Sequence, residues 1–329
     1  MKAKKRVLSG IRATGRLHLG NYLGAIKGML ALQADPDYET LYMVADAHAL
    51  TTPYNVAELR QNRREVIIDY LAAGLDPQKS IIFLQADVIE HFELAFYFSS
   101  VTTIAKMQHL PTFKDKVKQH PHHNSMALLN YPVLMAADIL IYHATDVPVG
   151  VDQKPHLEVA REIARKMNAT YGTDFPEPKM FATKGEHVPS LKGKGKMSKS
   201  VAGSYINLTD DLATIKKRLA DAPTDSGQGE KLPSSGGVAN LLTLVELFQG
   251  SQQRQKYEAQ YLSTGLRYDQ LKAKLAQAIY QELKPIQSKR AQLEAQPAYV
   301  DKVIASGAQK ARQLAQQTVK DVKTKLGLG

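Results

Sequence analysis

"RVLSGIRATGRLHLGNYLGAIKGMLALQ", residues 6–33, decides how the first half of the chain is read. A short apolar run leads into a turn built on Arg12, Ala13, Thr14 and Gly15, and a helical pattern takes over from Asn21: strand, turn, helix. Gly15 and Gly20 stand at the G-x-x-x-x-G spacing of a phosphate-binding P-loop, but Asn21 and Tyr22 follow where a P-loop carries Lys and then Ser or Thr. A turn that leaves a strand and opens a helix nevertheless presents backbone N–H groups and a positive dipole end, which together favour an anion. His18 and Asn21, three residues apart at that helix start, are short polar side chains suited to charge developing on a phosphate. A helix start with a capping residue reads equally well from these residues alone.

Working outward, "TLYMVADA" (40–47) is strand-like, "NVAELRQNRREVIIDYLAAG" (55–74) helical, and "SIIFLQAD" (80–87) strand-like again. Asn55 with Glu58 three residues on has the pattern of a helix-start capping pair, and Gly74 ahead of Asp76-Pro77 is a stop. This β-α-β-α-β series predicts a parallel sheet covered by helices, with ligands at the carboxyl ends of the strands. From Glu90 the pattern is helical, interrupted by the polar, proline-containing "PTFKDKVKQHPHHNS" (111–125), which reads as a loop. "MALLNYPVLMAADILIYH" (126–143) is helical, "DVPVG" (146–150) strand-like, and "DQKPHLEVAREIARKM" (152–167) helical with Leu157, Ala160, Ala164 and Met167 on one face. After the glycine-rich "LKGKGKMSKSVAGS" (191–204) every segment looks helical. The expected fold is therefore an α/β parallel-sheet domain followed by an α-helical C-terminal domain.

Composition narrows the chemistry. The 329 residues are 43% hydrophobic, enough for a substantial core, and contain no cysteine, which removes disulfides, thiolate metal sites and cysteine nucleophiles. The basic start is broken by Arg6, Ser9 and Arg12 before any signal-peptide core can form, and no run is long enough to span a bilayer, so a cytoplasmic location is expected. G-x-G-x-x-G after a strand, H-E-x-x-H and G-x-S-x-G are all missing. His120, His122 and His123 cluster in sequence, but Pro121 breaks helical spacing, and no protein-held metal is expected. The formal charge is +11, and residues 251–329 hold fourteen Lys or Arg against six Asp or Glu. That surplus fits an RNA-facing region, with clusters such as Lys289-Arg290 as contacts, or a solvated helix surface.

"GKMSKS" (195–200) places two lysines three apart in a glycine-rich loop that could close over polyphosphate. Taken by itself it is equally a basic surface loop. "HLGN" and "KMSKS" together, on a βαβ scaffold, resemble the two signature motifs of class I aminoacyl-tRNA synthetases. "SGIRATGRLHLGNYLGAI", "YPVLMAADILIY", "VPVGVDQKPHLE" and "RLADAPTDSG" narrow that resemblance to the tryptophanyl-tRNA synthetases of bacterial type. It implies a Rossmann-like catalytic domain over residues 1–203, with a helical insertion at about 90–145 that forms a homodimer interface, and a helical anticodon-binding domain over 204–329.

The same resemblance implies activation of L-tryptophan by Mg2+-bound ATP and transfer of the acyl group to tRNA(Trp), with tRNA rather than DNA as the polyanion. Arg12, Ala13, Thr14, Gly20 and Asn21 match the family's ATP-contacting turn, with His18 beside them. Gly150, Val151 and Asp152 match its ribose contact, and Val188 a backbone contact to adenine. Lys196, Met197, Ser198, Lys199 and Ser200 match its mobile loop, in which Lys196 and Lys199, with His18 and Asn21, carry the catalytic role. Tyr131, Met135, Asp138 and Gln153 match the tryptophan pocket. Tyr131, Met135 and Asp138 share one helix face, and an indole N–H, a donor only, calls for an acceptor such as Asp138. Where the family usually has Gln-Pro this chain has Arg12-Ala13, which changes the charge beside ATP. Tyrosyl-tRNA synthetases share the architecture, and a catalytically idle RNA-binding relative is the alternative of another class; the intact motifs argue against the latter.

Overall fold

The computed structural model describes residues 4–181, 188–199 and 201–329. Five parallel strands, β1 (Lys5–Arg12), β2 (Tyr38–Ala45), β3 (Ile81–Leu84), β4 (Asp146–Val147) and β5 (Lys179–Met180), form one sheet in the order β3-β2-β1-β4-β5. β1 pairs with β2 along its whole length, from Lys5 opposite Tyr38 to Arg12 opposite Ala45. Its pairing with β4 is confined to Val7 opposite Asp146. The chain thus builds outward from β1 in one direction and then returns to its other side, the reversal at which open parallel sheets bind ligands.

Side chains alternate across the strands as the two-residue period requires. Tyr42, Val44, Ile82 and Leu84 enter one core with Leu19, Ile26, Ile67 and Tyr70; Leu41, Met43 and Phe83 enter the other with Phe98, Ala137, Leu157 and Met167. The first face is covered by α1 (Leu19–Asn21), a π-helical turn (Tyr22–Ile26), α2 (Lys27–Ala34) and α3 (Val56–Ala72). Asn55 caps α3, its side-chain oxygen accepting from the Glu58 N–H at 3.1 Å, and Gly74 follows it at φ +110°, as expected for that start and stop. The other face carries α4 (Glu90–Ser99), α5 (Ile104–His109), α6 (Pro111–Gln119), α7 (Met126–Leu140) and α8 (Lys154–Tyr171). Leu157, Ala160, Ala164 and Met167 of α8 are all buried, as their spacing predicts.

Two readings of the sequence need correction. Residues 111–119 are the helix α6 and not a loop: Pro111 occupies the first turn, where its missing N–H costs nothing, and Thr112, Phe113, Lys116 and Val117 form a half-buried face at helical spacing. Proline and charge density concealed two and a half amphipathic turns. The strand expected over 146–150 is only Asp146–Val147, and β5 escaped notice because two residues carry no periodic signal.

Beyond β5 the elements are α9 (Leu212–Ala220), α10 (Gly237–Gln249), α11 (Ser251–Tyr261), α12 (Tyr268–Glu294) and α13 (Pro297–Lys325). α13 crosses the open edge of β3. Val300 and Val303 join the core on one face of the sheet, Ala311, Ala315, Val319 and Val322 the core on the other. Gly307 marks the crossing: a Cβ there would lie 1.7 Å from the Ile82 carbonyl oxygen. The helix thereby seals the backbone edge that would otherwise be open to pairing with another chain. Gly307→Ala should force α13 off the edge and destabilise the protein by about 1–3 kcal/mol, read as a lowered urea midpoint; an unchanged midpoint would mean that the crossing yields freely.

Candidate active site

Where β1 and β4 part, a cavity of about 460 Å3 opens, lined by Ser9, Gly10 and Arg12 of β1, Val147 of β4, Val149 after it, and one face of α7. Tyr131, Met135 and Asp138 all point into it, as their four- and three-residue spacing predicts, and Asp152 and Gln153 close one side. The structure also brings in groups that the sequence reading did not single out: His48 and Thr51 after β2, Thr112 and Lys116 of α6, and His156 of α8. His48 had one signal available, its place just past the carboxyl end of a strand.

Asp138 is only 1% exposed. Its oxygen Oδ2 accepts from His48 Nε2 at 2.9 Å, Oδ1 accepts from His91 Nδ1, and the Gln85 amide donates to both at 2.9 Å. Tyr142 donates in turn to His91 Nε2 at 2.6 Å, fixing that ring's tautomer. Burial by itself would raise the Asp138 pKa, but the hydrogen bonds from His48 and His91 outweigh it and hold the carboxyl down at about 2. A carboxylate offers roughly four lone-pair sites, and these donors make four contacts with them, so the acid stays an anion at the cavity wall.

A second cluster orders the opposite wall. His156 donates from Nδ1 to Gln153 Oε1 at 3.0 Å, which leaves Nε2 as an acceptor beside Thr112 Oγ1 at 2.8 Å and the Tyr131 hydroxyl at 2.7 Å. Burial lowers the His156 pKa, consistent with a neutral ring. Gln153 donates to Asp152 at 2.8 Å, so both ends of its amide are fixed. Arg12 Nη2 donates to the His48 carbonyl at 2.9 Å, while its Nε is buried with no partner; burial also lowers its pKa.

His18, Gly20 and Asn21 lie outside this cavity, in a turn that meets the KMSKS segment. His18 is the residue before α1 and pairs as an isolated antiparallel bridge with Asn207; its backbone N–H donates to Asn21 Oδ1 at 3.1 Å. The Asn21 oxygen thus caps the turn, and its amide NH2 is the group left to donate. His18 Nδ1 is buried without a partner, and burial, followed by the charges of Lys199 and Lys196, lowers its pKa to about 4. A Cβ on Gly20 would stand 2.8 Å from the His18 ring and 3.4 Å from the Met197 Cβ, which measures how closely the two motifs meet. Gly15, at φ +104°, leaves room on its α-carbon side for Lys199, whose Nζ would be 3.1 Å from a Cβ placed there.

The KMSKS segment is itself held in place. Met197 N–H donates to the Val188 carbonyl at 2.9 Å, Lys196 bridges Pro189, and Ser204 Oγ accepts from the Ser198 N–H at 3.3 Å. Lys199 is lowered to about 8, chiefly by burial, with Asp69 opposing and Arg16 adding to the shift. Ala13 is buried and Thr14 exposed in the turn after β1, and Gly150 and Val151 begin the short 3-10 turn Val151–Gln153 and its approach. Ser200 falls outside the described residues. Among the described residues no three His, Asp or Glu side chains are grouped to hold a metal, His120, His122 and His123 included.

Comparison with known proteins converges on one group. The family described as tRNA synthetases class I (W and Y) matches residues 1–284. The chain is 38% identical to a tryptophan–tRNA ligase from Porphyromonas gingivalis over 98% of both chains. It is 40% identical to one from Halalkalibacterium halodurans over 99% of this chain and 98% of that one. A crystal structure of tryptophanyl-tRNA synthetase from Campylobacter jejuni, complexed with ADP and tryptophan, superposes with a TM-score of 0.86 at 33% identity, covering 98% of this chain and 100% of that one.

The depressed Asp138 pKa carries a stability prediction. An acid whose folded pKa lies below its unfolded value of 3.8 contributes in full above that value and loses the contribution as the pH falls toward about 2. The difference in melting temperature between wild type and Asp138→Asn should therefore be constant at neutral pH and shrink through that acid window. A difference that persists unchanged at the acid end would remove the charge of Asp138 from the stability of the site.

Proposed function

The chain belongs to the tryptophan–tRNA ligases among the class I tRNA synthetases, and on that premise we propose that it activates L-tryptophan with ATP and transfers the acyl group to tRNA(Trp). The observation that carries the reading is the meeting of the HLGN turn and the KMSKS segment beside a cavity at the carboxyl edge of a parallel sheet, with an ionised, buried acid inside it. Tryptophan lies in the cavity with its indole N–H toward Asp138, the apolar wall formed by Met135 and Val147, and its α-amino group near Tyr131 and Gln153. ATP lies across the turn. Arg12, Ala13 and Thr14 border it, Gly150, Val151 and Asp152 meet the ribose, and Val188 meets adenine.

The tryptophan carboxylate attacks the α-phosphate, and pyrophosphate leaves. No protein nucleophile takes part, so catalysis rests on position and charge. His18, neutral by its low pKa, turns its unpartnered Nδ1 edge and the Asn21 NH2 toward the phosphates. Lys196, Met197, Ser198, Lys199 and Ser200 close over the leaving group. The magnesium enters with the nucleotide as part of the substrate.

Residues 1–203 form the catalytic unit in this reading and 204–329 the anticodon-binding unit, whose exposed Lys284, Lys289, Lys302 and Lys310 are candidate tRNA contacts. Arg290 is not one of them: it is 3% exposed and paired with acids of α3, which corrects its grouping with Lys289. A homodimer through the helices over about 90–145 accounts for Ile89, Phe96, Ile104 and Met126, which are each more than half exposed. No helix among the described residues is long and apolar enough to cross a membrane, and a cytoplasmic site of action fits the reading.

The reading is tested by pyrophosphate exchange with ATP in the presence of tryptophan, tyrosine or no amino acid. Exchange should depend on tryptophan; equal exchange with tyrosine would overturn the assignment of the cavity. The loop has its own test. Because ATP phosphates stabilise the protonated form of a lysine whose pKa is lowered to about 8, ATP binding should take up a proton near that pH, and KM for ATP should rise as the pH passes above it. Lys199→Ala should abolish this dependence and slow exchange by about 10²–10³. Retained proton uptake in that variant would assign the titration to another group.

A further inference from the structure

The HLGN turn is anchored by a group that the catalytic reading leaves unused. Asp69 is on α3, is 0% exposed, and its Oδ2 accepts the backbone N–H of Leu17, the residue before His18, at 2.9 Å. Its other oxygen is paired with Arg290 of α12, itself 3% exposed, which also reaches Glu65 and, through Nε, Glu294 at 2.9 Å. We infer that Asp69 is a positioning residue for adenylate formation: clamped between Arg290 and the Leu17 N–H, it fixes the HLGN turn to helix α12 and so sets where His18 and Asn21 stand against Lys199. The inference rests on the reading of that turn as the ATP-phosphate site.

Several contacts converge on the same strip of backbone. The Leu17 carbonyl accepts from Leu208 N–H at 3.0 Å, and Leu19 N–H donates to the Ile206 carbonyl at 2.9 Å, so His18 is held from both neighbours. α12 grips the segment that makes those bonds: Gln287 donates to the Leu208 and Asp210 carbonyls at 2.9 Å each. One turn and more away, Glu282 of α12 accepts from the Tyr22 hydroxyl at 3.1 Å and pairs with Lys27 at 3.0 Å. Tyr22 directly follows α1, so the turn is tied to α12 on both sides.

A charge is a costly way to hold one N–H inside a core. Burial raises the Asp69 pKa, opposed by Arg290 and by the Leu17 hydrogen bond. The carboxylate therefore needs Arg290, from a helix more than 200 residues away in sequence, whereas a neutral acceptor would not. The pairing makes the placement of a catalytic turn depend on the docking of α12, the helix on which the exposed Lys284 and Lys289 also lie.

The test uses the full-length protein with two readouts. The chain contains no tryptophan, so the fluorescence of added tryptophan, excited at the red edge where the fifteen tyrosines do not absorb, reports its binding; pyrophosphate exchange reports adenylate formation. Asp69→Leu removes the acceptor and should leave tryptophan affinity unchanged while lowering kcat/KM for ATP by at least about tenfold. Asp69→Asn keeps an oxygen for the Leu17 N–H and should restore most of that loss, although both variants melt earlier than wild type. If Asp69→Leu does not fold, Asp69→Leu/Arg290→Met, which leaves neither of the paired charges buried alone, is held to the same outcome. Exchange kinetics in the folded leucine variant equal to wild type, or equal loss in the leucine and asparagine variants, would reduce Asp69 to a purely structural acid. A wild type without tryptophan-dependent exchange would overturn the reading beneath it as well.

Discussion

Strand β1 pairs with β2 over eight residues but meets β4 at a single register position, Val7 opposite Asp146. Everything that the site does follows from that asymmetry. Past Val7 the two strands diverge, and the space between them is filled by no strand, so Ser9, Gly10 and Arg12 face Val147 and Val149 across a cavity. In a parallel sheet all carboxyl ends lie on one edge, and the loops that leave them gather there. The turn after β1, His48 after β2 and the Gly150–Asp152 stretch after β4 converge for this reason, although they are far apart in sequence.

Two buried acids divide the work around that edge. Asp138 faces the cavity and is stabilised as an anion by hydrogen-bond donors, His48, His91 and Gln85, rather than by a permanent cation. The two histidine rings also pack on aromatic neighbours, His48 on Tyr131 and His91 on Phe83. Asp69 faces away from the cavity and is neutralised by Arg290. A full charge pair suits a place where no ligand enters, because breaking one side of it is expensive. The donor shell thus accompanies the acid that lines the cavity, and the ion pair the acid between α3 and α12.

The last helices belong to the frame as much as to any separate module. α12 packs on α3 and α9 and holds the HLGN turn by its side chains; α13 lies across β3 and enters both cores. The small residues Gly307, Ala308, Ala311 and Ala315 let α13 approach the sheet closely, which is how a helix can cover a strand edge without leaving a gap.

The alternation of strand and helix through residue 87, the helix face shared by Tyr131, Met135 and Asp138, and the cap at Asn55 were legible in the sequence, because each rests on contacts within a few residues or on a regular period. The family was legible too, since HLGN and KMSKS are contiguous strings. Other features could not be read this way. Nothing near Asp138 predicts that His48, His91 and Gln85 surround it, because they arrive from other strands and helices. Lys289 and Arg290 are adjacent and alike in sequence, yet one is solvated and the other buried between Asp69 and Glu65. Helix α6 hid behind a proline and four lysine and aspartate side chains, its half-buried face visible only against α7. Sequence by itself determined the family and the strand–helix alternation through residue 87, since contiguous strings, local bonds and periodicity decide those. Tertiary structure alone decided which charges are paired, which remain open and which turns meet, because burial and long-range contact set the energy of a polar group, and neither is a property of its neighbours in the chain.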